Sequence, residues 1–211
     1  MFENFKSLIY NFLAVWYTRK KNFVKAEKYI LQLLEKAKRQ RSPRAQAILI
    51  GNLAYISKEK KDYDKAIKLC EDALQYYITE NEKFYLLHIA GESAYLKGDY
   101  MKAINYLNKA EEFAISLGEI KRLIEIKNLI GLSYALSEDK HRAILYLEDS
   151  LKIAKSQRNT YYEGYINLYL ANVYEKFNDE AKAKEYYEES TKIFKKLGLK
   201  KSLKELQVSK I

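Results

Sequence analysis

The chain has 211 residues, 38 Lys/Arg against 28 Asp/Glu and a formal net charge of +10. Seven glycines and one proline leave little material for sheets or long loops, and a single cysteine excludes an internal disulfide. Nowhere is there the run of about 20 apolar residues that a membrane span needs, so no transmembrane segment is expected.

The N-terminus opens on an apolar run, LIYNFLAVWY from Leu8 to Tyr17, which Phe2 and Phe5 extend. MFENFK ahead of it lacks the basic leader of a signal peptide, and no small-residue cleavage site follows. The run supplies the first helix of a hairpin and is apolar almost all round, where a surface helix has one polar side. A cover is therefore expected. Phe2, Phe5, Ile9, Phe12 and Trp16 are the candidates for self-association or for docking on a partner.

A pattern then recurs five times. It reads LAVWYTRKKNFVKAEKYILQL from Leu13, LAYISKEKKDYDKAIKLCEDA from Leu53 and AGESAYLKGDYMKAINYLNKA from Ala90. It returns as IGLSYALSEDKHRAILYLEDS from Ile130 and LANVYEKFNDEAKAKEYYEES from Leu170. A marker alanine falls at Ala26, Ala66, Ala103, Ala143 and Ala183, in steps of 40, 37, 40 and 40 residues. Fixed self-similarity on this scale marks a solenoid.

Each copy holds a first apolar-periodic segment with a small residue, at Ala14, Ala54, Gly91, Gly131 or Ala171. A polar break follows and ends in Asn22, Asp62, Asp99, Asp139 or Asp179, the residue type that caps a helix N-terminus. Lys or Arg stands three residues past each of these caps, so no capping box accompanies them. A second helix of four to five turns should follow, with its marker alanine at a close backbone approach. Each unit is thus a helical hairpin that buries its apolar face only by stacking. The expected units are 8–40, 44–79, 82–117, 119–157 and 159–198, in one domain over 1–198, closed by a short capping helix and tail at 199–211.

The small residue, the turn aromatic (Phe23, Tyr63, Tyr100) and the alanine after it resemble the tetratricopeptide repeat family in order and spacing. GDYMKA at Gly98–Ala103 and KDYDKA at Lys61–Ala66 match best. Lys140 and Glu180 replace the aromatic in the last two copies, and the closing proline of that family is absent. A period near 40, against about 34 for the standard unit, is similar to the long-helix variant of bacterial peptide-pheromone receptors and eukaryotic scaffold adaptors. The resemblance implies an all-α, right-handed superhelical solenoid of about five antiparallel hairpins. The family's carboxylate clamp sets a Lys and an Asn one turn apart on a first helix. No first helix offers that pair on its inner side, so chaperone-type acidic tails are not the expected ligand.

Signatures of chemistry are missing. There is no glycine-rich phosphate loop, no HExxH pair and no nucleophile elbow. His88 and His141 lie in no ligand cluster, so neither metal nor cofactor is expected. Cys70 stands where other copies have Ile30, Leu107, Leu147 and Tyr187 and is read as a core residue of a reducing, cytoplasmic location. The chain is expected not to be an enzyme.

Charge is uneven. Residues 1–45 hold 11 Lys/Arg against 3 Asp/Glu, and residues 192–211 hold 7 against 1. Arg19, Lys20 and Lys21 form one basic run; Lys36, Lys38, Arg39, Arg41 and Arg44 form another. Such runs could meet nucleic acid or an anionic surface, although a nucleic-acid reader usually strings its cations along one groove with stacking aromatics.

By analogy with how the family lines its concave face, the inner residues of first helices are candidates for a partner site. They are Asn52, Tyr55, Tyr85, His88, Glu92, Tyr95, Asn128, Leu132, Tyr165, Leu168 and Asn172. Tyrosine offers a stacking face and asparagine pairs with a peptide backbone. The expected function is non-enzymatic recognition of a protein or peptide in this groove. The alternatives are a self-associating scaffold and binding through the basic ends.

Overall fold

The computed structural model describes residues 2–76 and 78–199, with side chains from Ser7 onward. Ten helices and no strand occur among the described residues. They are α1 (Phe2–Arg19), α2 (Phe23–Arg39), α3 (Pro43–Glu59), α4 (Tyr63–Ala73), α5 (Glu80–Lys97), α6 (Tyr100–Ser116), α7 (Ile120–Leu136), α8 (Lys140–Ser156), α9 (Thr160–Lys176) and α10 (Glu180–Lys196). The capping helix expected at 199–211 lies, beyond Leu199, outside the described residues.

The asparagine and aspartates at the polar breaks do start the second helices. Asn22, Asp62, Asp139 and Asp179 accept the backbone N–H of Lys25, Lys65, Arg142 and Lys182 at 3.3, 3.3, 3.0 and 3.4 Å. Asp99 does the same for Lys102 at 3.2 Å. Each bond satisfies a donor that the first helical turn would otherwise leave orphaned. Nearly every turn also carries one residue in the left-handed region. Gly98, Gly118 and Gly198 take it without strain, but Lys21, Arg41, Lys61, Glu138, Arg158 and Asn178 hold φ between 50° and 64° against the preference of a side chain.

The chain divides into two compact units, Met1–Lys102 and Ala103–Ile211. In the first, α1 packs on α2, α2 on α3, α3 on α4 and α4 on α5, and α3 also meets α5. In the second, α7 packs on α8, α8 on α9 and α9 on α10, and α7 also meets α9. First helices of adjacent hairpins therefore touch within each unit, which is the layering of an α-solenoid.

The marker alanines lie at the closest approaches and are buried at all five positions. Opposite them the small residue of the first helix is required: a Cβ on Gly131 would stand 2.8 Å from Leu147 Cγ and 3.1 Å from the Ala143 carbonyl oxygen. Around the first marker, Ala14, Ala26, Ile30, Leu34, Leu53 and Ile56 form a core that Tyr17, Phe23 and Tyr29 close from the side. Cys70 is fully buried, and burial, helped by Glu71, pushes its thiol from its ordinary 9.0 up to about 12. It packs as a hydrophobe.

One helix departs from expectation. Helix α4 ends at Ala73 after 11 residues, three turns rather than four to five. The 37-residue step falls here, so the missing residues come out of this helix. Leu74–Thr79 makes the return, and Ile78 is buried within it. The Thr79 N–H then donates to Glu82 Oε2 at 2.7 Å at the start of α5, half of a capping box.

Candidate partner-binding groove

Helices α1, α3 and α5 present one side of each to a common cleft in the first unit. Asn11, Val15, Thr18 and Arg19 line it from α1, Asn52 and Tyr55 from α3, and Tyr85 from α5, over a floor that includes Ala14, Ile30 and Leu49. These residues meet because the hairpins repeat: Val15 and Tyr55 occupy the same position one 40-residue step apart. The cleft has an aromatic and aliphatic lining with two amides and one guanidinium, a mixture that suits an extended polypeptide.

Beside it, Lys58 is buried and held by carboxylates. Its Nζ lies 2.7 Å from Glu92 Oε2 and 3.3 Å from Glu59 Oε1, and 4.9 Å from the Tyr55 ring centroid. Burial alone would pull the ammonium down, but Glu92 and Glu59 outweigh it and hold Lys58 above its ordinary value. Glu92 therefore braces α3 against α5. His88 stacks on Phe84 with ring centroids 6.1 Å apart. Tyr95 lies 6.1 Å from the Tyr100 ring, and burial raises its hydroxyl. None of these three candidates lines the cleft that Asn52, Tyr55 and Tyr85 share.

The second unit places its candidates on α7 and α9. Asn128 and Leu132 are buried on α7, Leu168 and Asn172 on α9. Asn128 Oδ1 is buried and accepts no hydrogen bond among the described residues. Asn172 Oδ1 accepts the Tyr187 hydroxyl at 2.5 Å, and that hydroxyl also reaches Glu175 Oε2 at 3.1 Å. Tyr165 packs edge-on against Phe194 at 5.0 Å and against Tyr161 at 4.7 Å, so it serves the last hairpin.

Repeat architecture of this type has known counterparts. One model of the tetratricopeptide repeat matches residues 48–77 and 166–197, and a second model of the same repeat matches residues 9–44. The chain is a tetratricopeptide repeat protein. No curated protein sequence matches it. Among solved structures it is similar to BtubC from P. vanneervenii, with 20% identity, a TM-score of 0.76, and coverage of 90% of this chain and 80% of that one. It is also similar to the apo form of RapI, with 15% identity, a TM-score of 0.83, and coverage of 95% and 74%. A Rap protein complexed with competence and sporulation factor shares 17% identity at a TM-score of 0.65; the match covers 89% of this chain and 54% of that one. At these identities the likeness establishes the fold.

In this tetratricopeptide repeat protein the basic residues do not form one patch. Arg19, Lys20 and Lys21 sit at the α1–α2 turn. Lys38, Arg39, Arg41 and Arg44 sit around the α2–α3 turn, at the opposite end of a 17-residue helix and so roughly 25 Å away. Lys36 Nζ donates to Ser7 Oγ at 2.6 Å, Lys38 pairs with Glu35 at 2.9 Å, and Arg44 pairs with Glu82 at 2.7 Å. The α1 contribution to the cleft, Asn11, Val15, Thr18 and Arg19, was missed in the reading of candidates. Carrying the positions of Asn52 and Tyr55 back by one repeat points into that segment. Among the described residues no helix is long and apolar enough to cross a membrane.

Proposed function

We propose that this tetratricopeptide repeat protein is an interaction module whose first-helix groove holds a segment of a protein or peptide partner. The observation that carries the reading is the cleft in the first unit, where three successive first helices set Val15, Asn52, Tyr55 and Tyr85 on one lining. Tyrosine rings stack on apolar side chains, and the asparagine amides pair with a ligand backbone. Asn128 supports the same mode in the second unit. It holds the repeat position that Asn11 holds in the cleft of the first unit. The solved Rap protein with its bound factor makes a ligand-bound state of this fold familiar. A preformed groove needs no chemistry, and the protein acts by reversible occupancy in the cytoplasm.

Selection from a random peptide library on the immobilised full chain tests this. Peptides so obtained should lose about tenfold or more in affinity to Tyr55→Ala and Asn52→Ala, one to two kcal/mol each. Selected peptides that bind both variants as well as the wild type would place recognition elsewhere.

A further inference from the structure

The first hairpin carries apolar side chains that the described residues cover only in part. Leu8, Ile9, Phe12 and Trp16 of α1 are 68%, 41%, 67% and 44% exposed. Two of these positions are buried in later copies: two and four repeat-steps on, Ile9 and Trp16 correspond to Leu86 and Ser93 of α5 and to Ile166 and Val173 of α9, all at 2% exposure or less. The Ile9 and Trp16 side of α1 is thus built like an inner layer of the solenoid, yet the described residues leave it partly open. The last hairpin shows the contrast. Lys184, Glu185, Glu188, Glu189, Lys192 and Lys195 are exposed along α10, a polar face where α1 has an apolar one.

The charge of the first hairpin decides what fits its apolar side chains. Lys20 follows Trp16 by one turn. On α2, Lys25 lies over the Tyr17 ring at 5.1 Å, and Lys28 and Arg39 are exposed. The two carboxylates of residues 7–40 do not offset these cations. Glu27 turns to Lys60 and Lys65 of the next hairpin at 3.2 and 3.6 Å, and Glu35 pairs with Lys38. A second copy would bring the same cations against each other. The chain's own residues 200–211 carry four lysines against one glutamate and are no complement either.

We propose that the outer face of the first hairpin docks an amphipathic helix of a partner protein, with its apolar stripe on Leu8, Ile9, Phe12 and Trp16 and flanking Asp and Glu on the lysines. The helix covers the apolar side chains that the described residues leave open, and the acidic flanks set its identity. This surface adjoins the groove proposed above, which takes Val15 and Arg19 from the same helix, but it shares no residue with the groove lining.

Trp16 is the only tryptophan in the chain and reports the docking directly. The probes are two synthetic amphipathic helices of about 18 residues, five turns, with the same leucine stripe and either Glu or Lys flanks. With the full chain, the Glu-flanked helix should shift Trp16 emission to shorter wavelength in a saturable titration, and the Lys-flanked helix should not. The exposed triple substitution Lys25→Glu, Lys28→Glu, Arg39→Glu should reverse that preference, and Phe12→Ser should weaken binding about tenfold. Tyr55→Ala should leave the shift unchanged, so a failed groove does not imitate a failed edge. No shift with the Glu-flanked helix, or equal shifts with both, overturns the proposal. So does a protein that alone sediments as a dimer with concentration-dependent Trp16 emission, because a second copy would then be the cover.

Discussion

Single residues at the helix ends decide how well each hairpin closes. Lys61 holds φ at 64° between α3 and α4, a region that costs a side chain about 1–2 kcal/mol and a glycine almost nothing. Lys61→Gly should therefore stabilise the protein by about 0.5–1 kcal/mol after the added freedom of the unfolded chain is subtracted. A rise in the thermal midpoint would register it. The opposite exchange in a helix interior has the opposite sign. Alanine at position 131 gains up to about 1 kcal/mol of helix propensity, but its Cβ meets Leu147 Cγ at 2.8 Å and a backbone oxygen at 3.1 Å. Overpacking of this kind costs about 1–3 kcal/mol. Gly131→Ala should lower the urea midpoint without changing the slope. Cap residues and marker alanines were legible in the sequence because each depends on local geometry that repeats five times. The burden on Lys61 and its counterparts was not, since the left-handed position is filled by a different residue in each turn.

At the scale of helices, the pair that joins α3 to α5 separates support from recognition. Glu92 was a candidate groove residue by its position, yet it neutralises a buried Lys58. Its loss leaves Lys58 with Glu59 alone. Glu92→Ala should therefore destabilise the fold by about 1–3 kcal/mol, whereas Tyr55→Ala should act mainly on binding. Chemical denaturation of the two variants distinguishes these outcomes. The pattern of first helices located Asn52, Tyr55 and Tyr85 together. It could not foresee that Tyr165 packs on Phe194 or that Asn172 receives the Tyr187 hydroxyl, because those partners come from the neighbouring helix and depend on side-chain direction. The short α4 was half visible: the 37-residue step announced a deletion, but only packing shows that the helix gives it up and that Glu82 restarts the chain.

Across the molecule, stability should fall on the alkaline side. Burial raises Cys70 from its ordinary 9.0 to about 12, and burial raises Tyr186 and Tyr187 from 10.0 to about 12, with carboxylates adding to both. Each folded value lies above the unfolded one, so each contribution is complete below about pH 9 and is lost as pH rises toward 12. The denaturation midpoint should be flat from neutral pH to about 9 and then drop steeply. Substitution of Cys70 by alanine should flatten the early part of that drop. Fold class was readable from periodicity alone, since five copies of one hairpin admit little besides stacking. The ligand was not, because a groove's lining is assembled from residues about 40 apart and its occupant leaves no periodic trace.

The groove reading is tested most directly by photo-crosslinking with a library-selected peptide bound to the full chain. A benzophenone side chain replaces Tyr85 on the first-helix side, or the exposed Lys68 on α4 as the opposing control. The account predicts a crosslink from position 85 that excess unlabelled peptide abolishes, and none from position 68. A crosslink from 68 with none from 85 would contradict it and move recognition to the second helices.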